Sequence, residues 1–254
     1  MSSVLDKRLR ECIHDSLQIL RKFRNDIVPS SMPILFFGDL ECYKVSNTPK
    51  VITLGLNPSR GEFPKGNRFE RFPLMRGWNQ HRFDYERYVR SLCHYFHGNY
   101  YHRYFDDLEY VLHGVGSSFV RSDTGNIALH TDICPLATRR LWRDLPHTKK
   151  SALKEEGKPL WEKLMEHLEP QLIVASVGLQ HLSELEEMRE LEPIHIRKNY
   201  KLKIFEKKFN GRISHIVNGE PLMGRPFGNL SRNYRERVGK VIRNRLRGSL
   251  SPSG

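Results

Sequence analysis

Hydrophobic spacing separates helices from strands along this chain. Leu5, Leu9, Ile13, Leu17, Leu20, Phe23 and Ile27 recur at intervals of three and four. That spacing predicts an amphipathic helix over 3–28, within an N-terminal segment 1–30, stopped by Pro29. A short apolar segment follows at Ile34–Phe37. The run from Lys50 to Leu56 reads as a buried strand and ends in the turn-forming cluster Asn57-Pro58-Ser59-Arg60-Gly61. Residues 60–82 read as a long polar loop, and 83–113 as helical and rich in Tyr, Phe and His. Ile127–Asp132 is the second strand, closed by Ile133-Cys134-Pro135. Residues 151–168 form a helix with Leu153, Leu160, Trp161, Leu164 and Leu168 on one side. Gln171–Val177 is a third strand ending at Gly178. Lys201–Phe209 and Arg212–Val217 form a hairpin about Asn210-Gly211. A loop over Asn218–Leu230 leads to a last helix, capped by Ser231, with Tyr234, Val238, Val241, Ile242 and Leu246 as its apolar stripe.

Short strands alternating with helices predict an α/β protein, a three-layer α/β/α sandwich around a mainly parallel central sheet. The expected organisation is a single domain over 1–247, with 83–113 as an aromatic helical insertion and a disordered tail at 248–254. In such sheets ligands bind beyond the carboxyl ends of the strands, so the loops 55–63, 132–138 and 218–230 are expected to converge on one crevice.

Composition narrows the class. The 254 residues carry 42 Lys and Arg against 29 Asp and Glu, a formal net charge of +13. The excess is local. Ile194 to Arg247 holds fifteen Lys and Arg against three acids, whereas Lys154 to Pro193 holds ten Glu against four basic residues. A cationic block of that density suits a polyanion, and nucleic acid is the leading partner. It suits equally the wet face of a soluble protein. No run of eighteen apolar residues predicts a membrane span, and no signal-peptide core is recognisable. The four cysteines (Cys12, Cys42, Cys93, Cys134) form no CxxC pair. His94 and His97 lack a clear third ligand. A cytoplasmic monomer with no metal and no cofactor is expected.

Three stretches carry candidate chemistry. In Gly55-Leu56-Asn57-Pro58-Ser59, Gly55 permits a tight turn, Pro58 fixes it, and Asn57 is held with one acceptor and two donors on offer. In His130-Thr131-Asp132-Ile133-Cys134-Pro135-Leu136 an acid closes an apolar strand. The alternative role for that acid is a local cap. In Leu222-Met223-Gly224-Arg225-Pro226-Phe227-Gly228 a lone Arg stands among glycines and apolar residues.

In this order, the three stretches resemble the uracil-DNA glycosylase superfamily, in particular its single-strand-selective and mismatch-specific branches. Those branches carry GxNPG after the first strand, an Asn in H-N-x-C-P-L at the second, and H-P-S near the end. The resemblance spans Val51 to Leu246 and is strong at the first two motifs. It implies that Asn57 positions the attacking water and that Asp132 reads the pyrimidine edge. Phe63 is the candidate to stack on a flipped base. Gly55, Leu56, Pro58, Ser59, Cys134 and Pro135 would line the base site. Arg60, Gly178, Gly224, Phe227, Asn229 and Arg232 would meet DNA. The family His of the third motif is missing; Arg225-Pro226 stands in its place, or Gly224 does. Arg225 would stabilise the departing base or wedge into DNA, or serve as an ordinary phosphate contact.

Asp132 departs from the family Asn. A carboxylate cannot donate to O4 of uracil, but it accepts well from the N4 amino group of cytosine. Its clash with the N3 lone pair disappears once a proton is shared there, and burial favours such a proton. Ser59 is smaller than the Tyr of the uracil-specific branch and leaves room for a C5 substituent. The expectation is a monofunctional DNA glycosylase acting on a C5-modified cytosine, as in defence against phage with modified DNA. The alternatives are a glycosylase for uracil or another deaminated base, and a DNA-binding relative without chemistry.

Overall fold

The computed structural model describes residues 5–45, 49–80, 83–120, 126–197, 200–219, 227–228 and 230–248. The elements are helices α1 (Lys7–Lys22) and α2 (Leu40–Val45), strand β1 (Val51–Gly55), helices α3 (Tyr85–Cys93) and α4 (His102–Val115), strand β2 (Leu129–Asp132), helix α5 (His147–Leu168), strand β3 (Leu172–Ala175), helix α6 (Leu179–Leu182), strands β4 (Arg189–Arg197), β5 (Tyr200–Phe209) and β6 (Arg212–Asn218), and helix α7 (Arg232–Leu246). Six strands form one mixed, mostly parallel sheet in the order β2-β1-β3-β6-β5-β4. The chain divides into two compact units. One comprises Met1–Leu40, Gly55–Tyr101 and Thr131–His167; the other comprises Glu41–Leu54, His102–His130 and Leu168–Gly254.

The second unit holds the sheet up to Leu54 of β1 and His130 of β2. β1 pairs with β3 in parallel, with Thr53 opposite Val174, and β3 pairs with β6 in parallel, with Val174 opposite Val217. Every residue of β1, β2 and β3 is buried, which is why they read as continuous apolar runs. The sheet then turns antiparallel. β5 and β6 form the expected hairpin, and Asn210 and Gly211 both take positive φ, as a primed turn requires. β4 lies at the sheet edge against β5, and the sequence pattern gave no sign of it. Of the β4 side chains described, only Ile194 is buried, so no hydrophobic alternation marks it.

In the same unit α4 and α7 pack backbone to backbone. A methyl on Gly114 would lie 2.0 Å from Glu236 O, and one on Gly239 would lie 2.1 Å from Val111 O. The buried face of α7 is Arg235, Val238, Gly239, Ile242 and Leu246. Tyr234, expected in that stripe, is instead 39% exposed, and Arg235 takes the inward place. Arg235 Nη1 donates to Asp107 Oδ1 at 2.8 Å, and both side chains are buried. Ser231 occupies the N-cap of α7 but makes no side-chain capping bond.

In the first unit α1 is shorter than the 3–28 that periodicity predicts. Asp6 caps it by accepting from Leu9 N, and it ends at Phe23, well before Pro29. The aromatic stretch 83–113 is not one helical insertion. It breaks between α3 and α4, which belong to different units. α5 passes so close to the chain after β2 that a methyl on Gly157 would lie 2.5 Å from Ile133 O. Trp161 of α5 donates its indole N–H to Thr131 Oγ1 at 3.2 Å.

Two substitutions test these packings by chemical denaturation. Asp107→Ala strands a buried guanidinium and should lower stability by about 3–5 kcal/mol, whereas joint replacement of Asp107 and Arg235 by apolar residues of similar volume should recover most of it. Gly157→Ala should cost about 1–3 kcal/mol, because the opposing atoms are backbone and the helix itself must shift.

Candidate functional site

The first two motif stretches meet within the first unit. Gly55 closes β1 and Asp132 closes β2. Beyond them the chains stay bonded: Ile133 N donates to Gly55 O at 3.1 Å, and Cys134 N donates to Leu56 O at 2.9 Å. The segment after Cys134 is braced from the N-terminal side. Ile34 N donates to Pro135 O at 2.8 Å and Val28 N to Ala137 O at 2.9 Å.

This bracing orients Asn57. Its Nδ2 donates to Pro58 O at 3.0 Å, Thr138 Oγ1 at 3.3 Å and Leu136 O at 3.4 Å. Thr138 Oγ1 in turn donates to Arg140 O at 2.8 Å. The nitrogen end of the amide is thus occupied, and among the described hydrogen bonds none uses Oδ1. Asn57 is half-buried and Asp132 is 6% exposed. A fixed amide acceptor in one turn and a carboxyl at the end of the neighbouring strand are the chemical groups brought together here.

Ser59 has a structural task. Its Oγ accepts from Gly61 N at 3.0 Å and caps the 3-10 turn Arg60–Glu62. That turn directs Glu62 inward to 2% exposure. Tyr95 Oη donates to Glu62 Oε2 at 2.5 Å and accepts from Tyr101 N at 3.0 Å. Arg71 Nε stands 4.0 Å from the same carboxylate oxygen but donates to Gly61 O at 3.1 Å. Burial pushes the Glu62 carboxyl up to about 8. The Tyr95 hydrogen bond and the Arg71 charge oppose the rise, and the negative charge of Asp132 adds to it. Glu62, Tyr95 and Arg71 are absent from the residues that the sequence singles out for the site. The available signal was an acid between Gly61 and Phe63, in a loop otherwise rich in aromatic and basic residues.

Phe63 is enclosed, at 1% exposure. Its ring stacks on Phe72 at 5.6 Å, and Phe72 stacks on Tyr95 at 5.3 Å. The expected stacking aromatic therefore already has a ring partner. Cys134 is fully buried, and burial pushes its thiol up to about 12, so it packs and is no nucleophile. Leu56 is half-buried, and Pro58 and Pro135 are buried.

A cleft of about 530 Å³ adjoins the turn. Arg60, Lys65, Arg68 and Arg139 line it with Phe63 and Pro64, and none of its lining residues is acidic. Neither Asn57 nor Asp132 lines it. Backbone carbonyls steer two of these cations: Arg68 Nη1 donates to Phe63 O, and Arg139 Nε to Ile27 O, both at 2.7 Å. The basic block 194–247, by contrast, is partly answered by the acidic stretch before it. Lys203 pairs with Glu190, Arg212 with Glu169, and Arg245 with Glu192.

The other expected DNA contacts divide. Arg232 is exposed, with its guanidinium 5.3 Å from the centre of the Tyr110 ring. Gly178 starts the short helix α6 in the second unit. Phe227 is corrected: its side chain is fully buried, against Gly219, where a methyl would lie 2.1 Å from the ring. It packs and is closed to DNA. Gly224, Arg225 and Asn229 lie outside the described residues, as does the tail from 249 onward. Among the described residues no group of three His, Cys, Asp or Glu side chains is placed to hold a metal ion, and no helix is long and apolar enough to cross a membrane.

The raised Glu62 carboxyl gives a stability prediction with a definite sign. The folded chain binds a proton that the unfolded chain releases near the ordinary value of 4.5. The stabilising contribution is complete below 4.5 and is lost as pH rises through about 8. Urea unfolding across about pH 5 to 9 should show stability falling over that window, and Glu62→Gln should flatten the fall. In comparison with known proteins, no family model and no curated protein matches the chain.

Proposed function

We propose that this chain is a monofunctional DNA glycosylase that hydrolyses the N-glycosidic bond of an extruded, C5-modified cytosine, built on a three-layer fold of the uracil-DNA glycosylase kind. The observation that carries the reading is the hydrogen-bonded junction of the first two motif stretches, which brings Asn57 and the Asp132 strand end into one unit. The cationic cleft beside it supports a polyanionic substrate.

The target nucleotide leaves the stack so that water can reach its sugar. Asn57 Oδ1 accepts a hydrogen bond from that water and aims it at C1′, because the amide nitrogen is already committed. Asp132 accepts from the N4 amino group of the base. The C1′–N1 bond breaks through an oxocarbenium-like state, water adds to C1′, and an abasic site and a free base result. Arg60, Lys65, Arg68 and Arg139 neutralise phosphates of the strand that enters the cleft.

Oligonucleotides containing uracil, cytosine, 5-methyl-, 5-hydroxymethyl- and sugar-bearing cytosine, scored for alkali-labile abasic sites, test the reading. Release from a modified cytosine is expected, and no release from any of them overturns it. Asn57→Ala should slow release by about 10²–10⁴-fold while DNA affinity is kept. Asp132→Asn should shift preference toward uracil. Lys65→Ala should weaken binding to every sequence alike and reduce the slope of log affinity against log salt by about one.

A further inference from the structure

We infer that Glu62 and Asp132 act as a carboxyl pair that keeps one proton between them at neutral pH, and that this proton passes through Asp132 to N3 of the departing base. The inference rests on the glycosylase reading and assigns Glu62 as a positioning residue for the proton, with Asp132 as the group that touches the base.

Geometry supports it in three ways. First, Glu62 is 2% exposed, so water does little to solvate its charged form. Second, its neighbours neutralise it only in part. Tyr95 from the 3-10 turn 95–97 offers one hydrogen bond to Oε2, and Arg71 from the preceding loop stays 4.0 Å away, committed to Gly61 O. A carboxylate kept ionised as part of a structural ion pair would take a closer, forked contact from its arginine. Third, Asp132 at the end of β2 is close enough for its charge to act on Glu62. Two neighbouring buried carboxyl groups do not both ionise, and the pair titrates as a unit. Tyr95, Arg71 and Asp132 are the ionisable groups that act on Glu62, and the Tyr101 N–H holds the Tyr95 oxygen. Among the described hydrogen bonds none uses Glu62 Oε1, which leaves that oxygen as the seat of the proton.

A proton at this place resolves the conflict between a carboxylate and the unprotonated N3 of cytosine. As the C1′–N1 bond breaks, its electron pair moves onto the base, and the proton moves from the pair to N3, so the base departs neutral. The water aimed by Asn57 forms the new C1′–O bond and loses one proton to solvent. Solvent then returns one proton to the pair. Substrate and water give abasic sugar and free base, with no net change in the protein. Uracil carries its own N3 proton and needs none of this.

The test is the single-turnover rate of base release against pH, measured with the full chain on the oligonucleotide that the wild type cleaves. For the wild type the rate should hold through neutral pH and fall above about pH 8. In E62Q the falling limb should move down by about one unit or more, with the rate at neutral pH reduced about tenfold and the acid-limit rate retained. An E62Q profile that superimposes on the wild type overturns the inference. If the wild type releases no base, the glycosylase reading fails and the pair is judged separately by carboxyl carbon titration in NMR. A carboxyl of the wild type that titrates near about pH 8 upholds the pair, and the absence of any titrating above about pH 6 overturns it. The same titration on the wild type decides the matter if E62Q does not fold.

Discussion

Two backbone hydrogen bonds beyond the ends of β1 and β2, from Ile133 N to Gly55 O and from Cys134 N to Leu56 O, are the constraint on which the candidate site depends. They carry the strand pairing past the last strand residue, so the two turns leave side by side. The rest of the local structure protects this junction. Gly157 lets α5 lie directly on Ile133, Trp161 holds Thr131, and the N-terminal segment ties down Pro135 and Ala137. Asn57 is oriented as a consequence, because two of the acceptors for its amide nitrogen, Leu136 O and Thr138 Oγ1, belong to the braced segment.

The second theme is the use of burial to set charge. Ser59 caps a single 3-10 turn, and that turn carries Glu62 into an aromatic wall made of Phe63, Phe72 and Tyr95. The wall excludes water more completely than Arg71 supplies positive charge. A carboxyl in that setting keeps its proton to higher pH than one on the surface. The same wall removes Phe63 and Cys134 from the list of side chains open to a ligand. Their place in the motif stretches is explained by the enclosure they build.

Charge along the sequence and charge in space are different quantities in this protein. The basic block 194–247 dominates the linear count, yet some of its cations face acids of the preceding segment across β4, β5 and α7. The cleft without acids is assembled from Arg60, Lys65, Arg68 and Arg139, which belong to separate stretches and stand out in no window of the chain. Exposed pairs of that kind add little stability, but they decide which surface presents unopposed charge.

Local patterning alone determined the α/β class, the hairpin with its Asn210-Gly211 turn, the buried runs of β1, β2 and β3, and the two turns that carry Asn57 and Asp132. These features depend on hydrophobic periodicity and on residues with restricted φ, both of which act over a few positions. Only the tertiary structure decided the edge strand β4, which buries too little to leave a pattern, the break between α3 and α4, and the inward turn of Arg235 toward Asp107. It alone decided the burial of Glu62 beside Tyr95 and Asp132, since those three positions are far apart in the chain. Solvent exclusion and the sum of neighbouring charges arise from the folded packing, and no stretch of sequence contains them by itself.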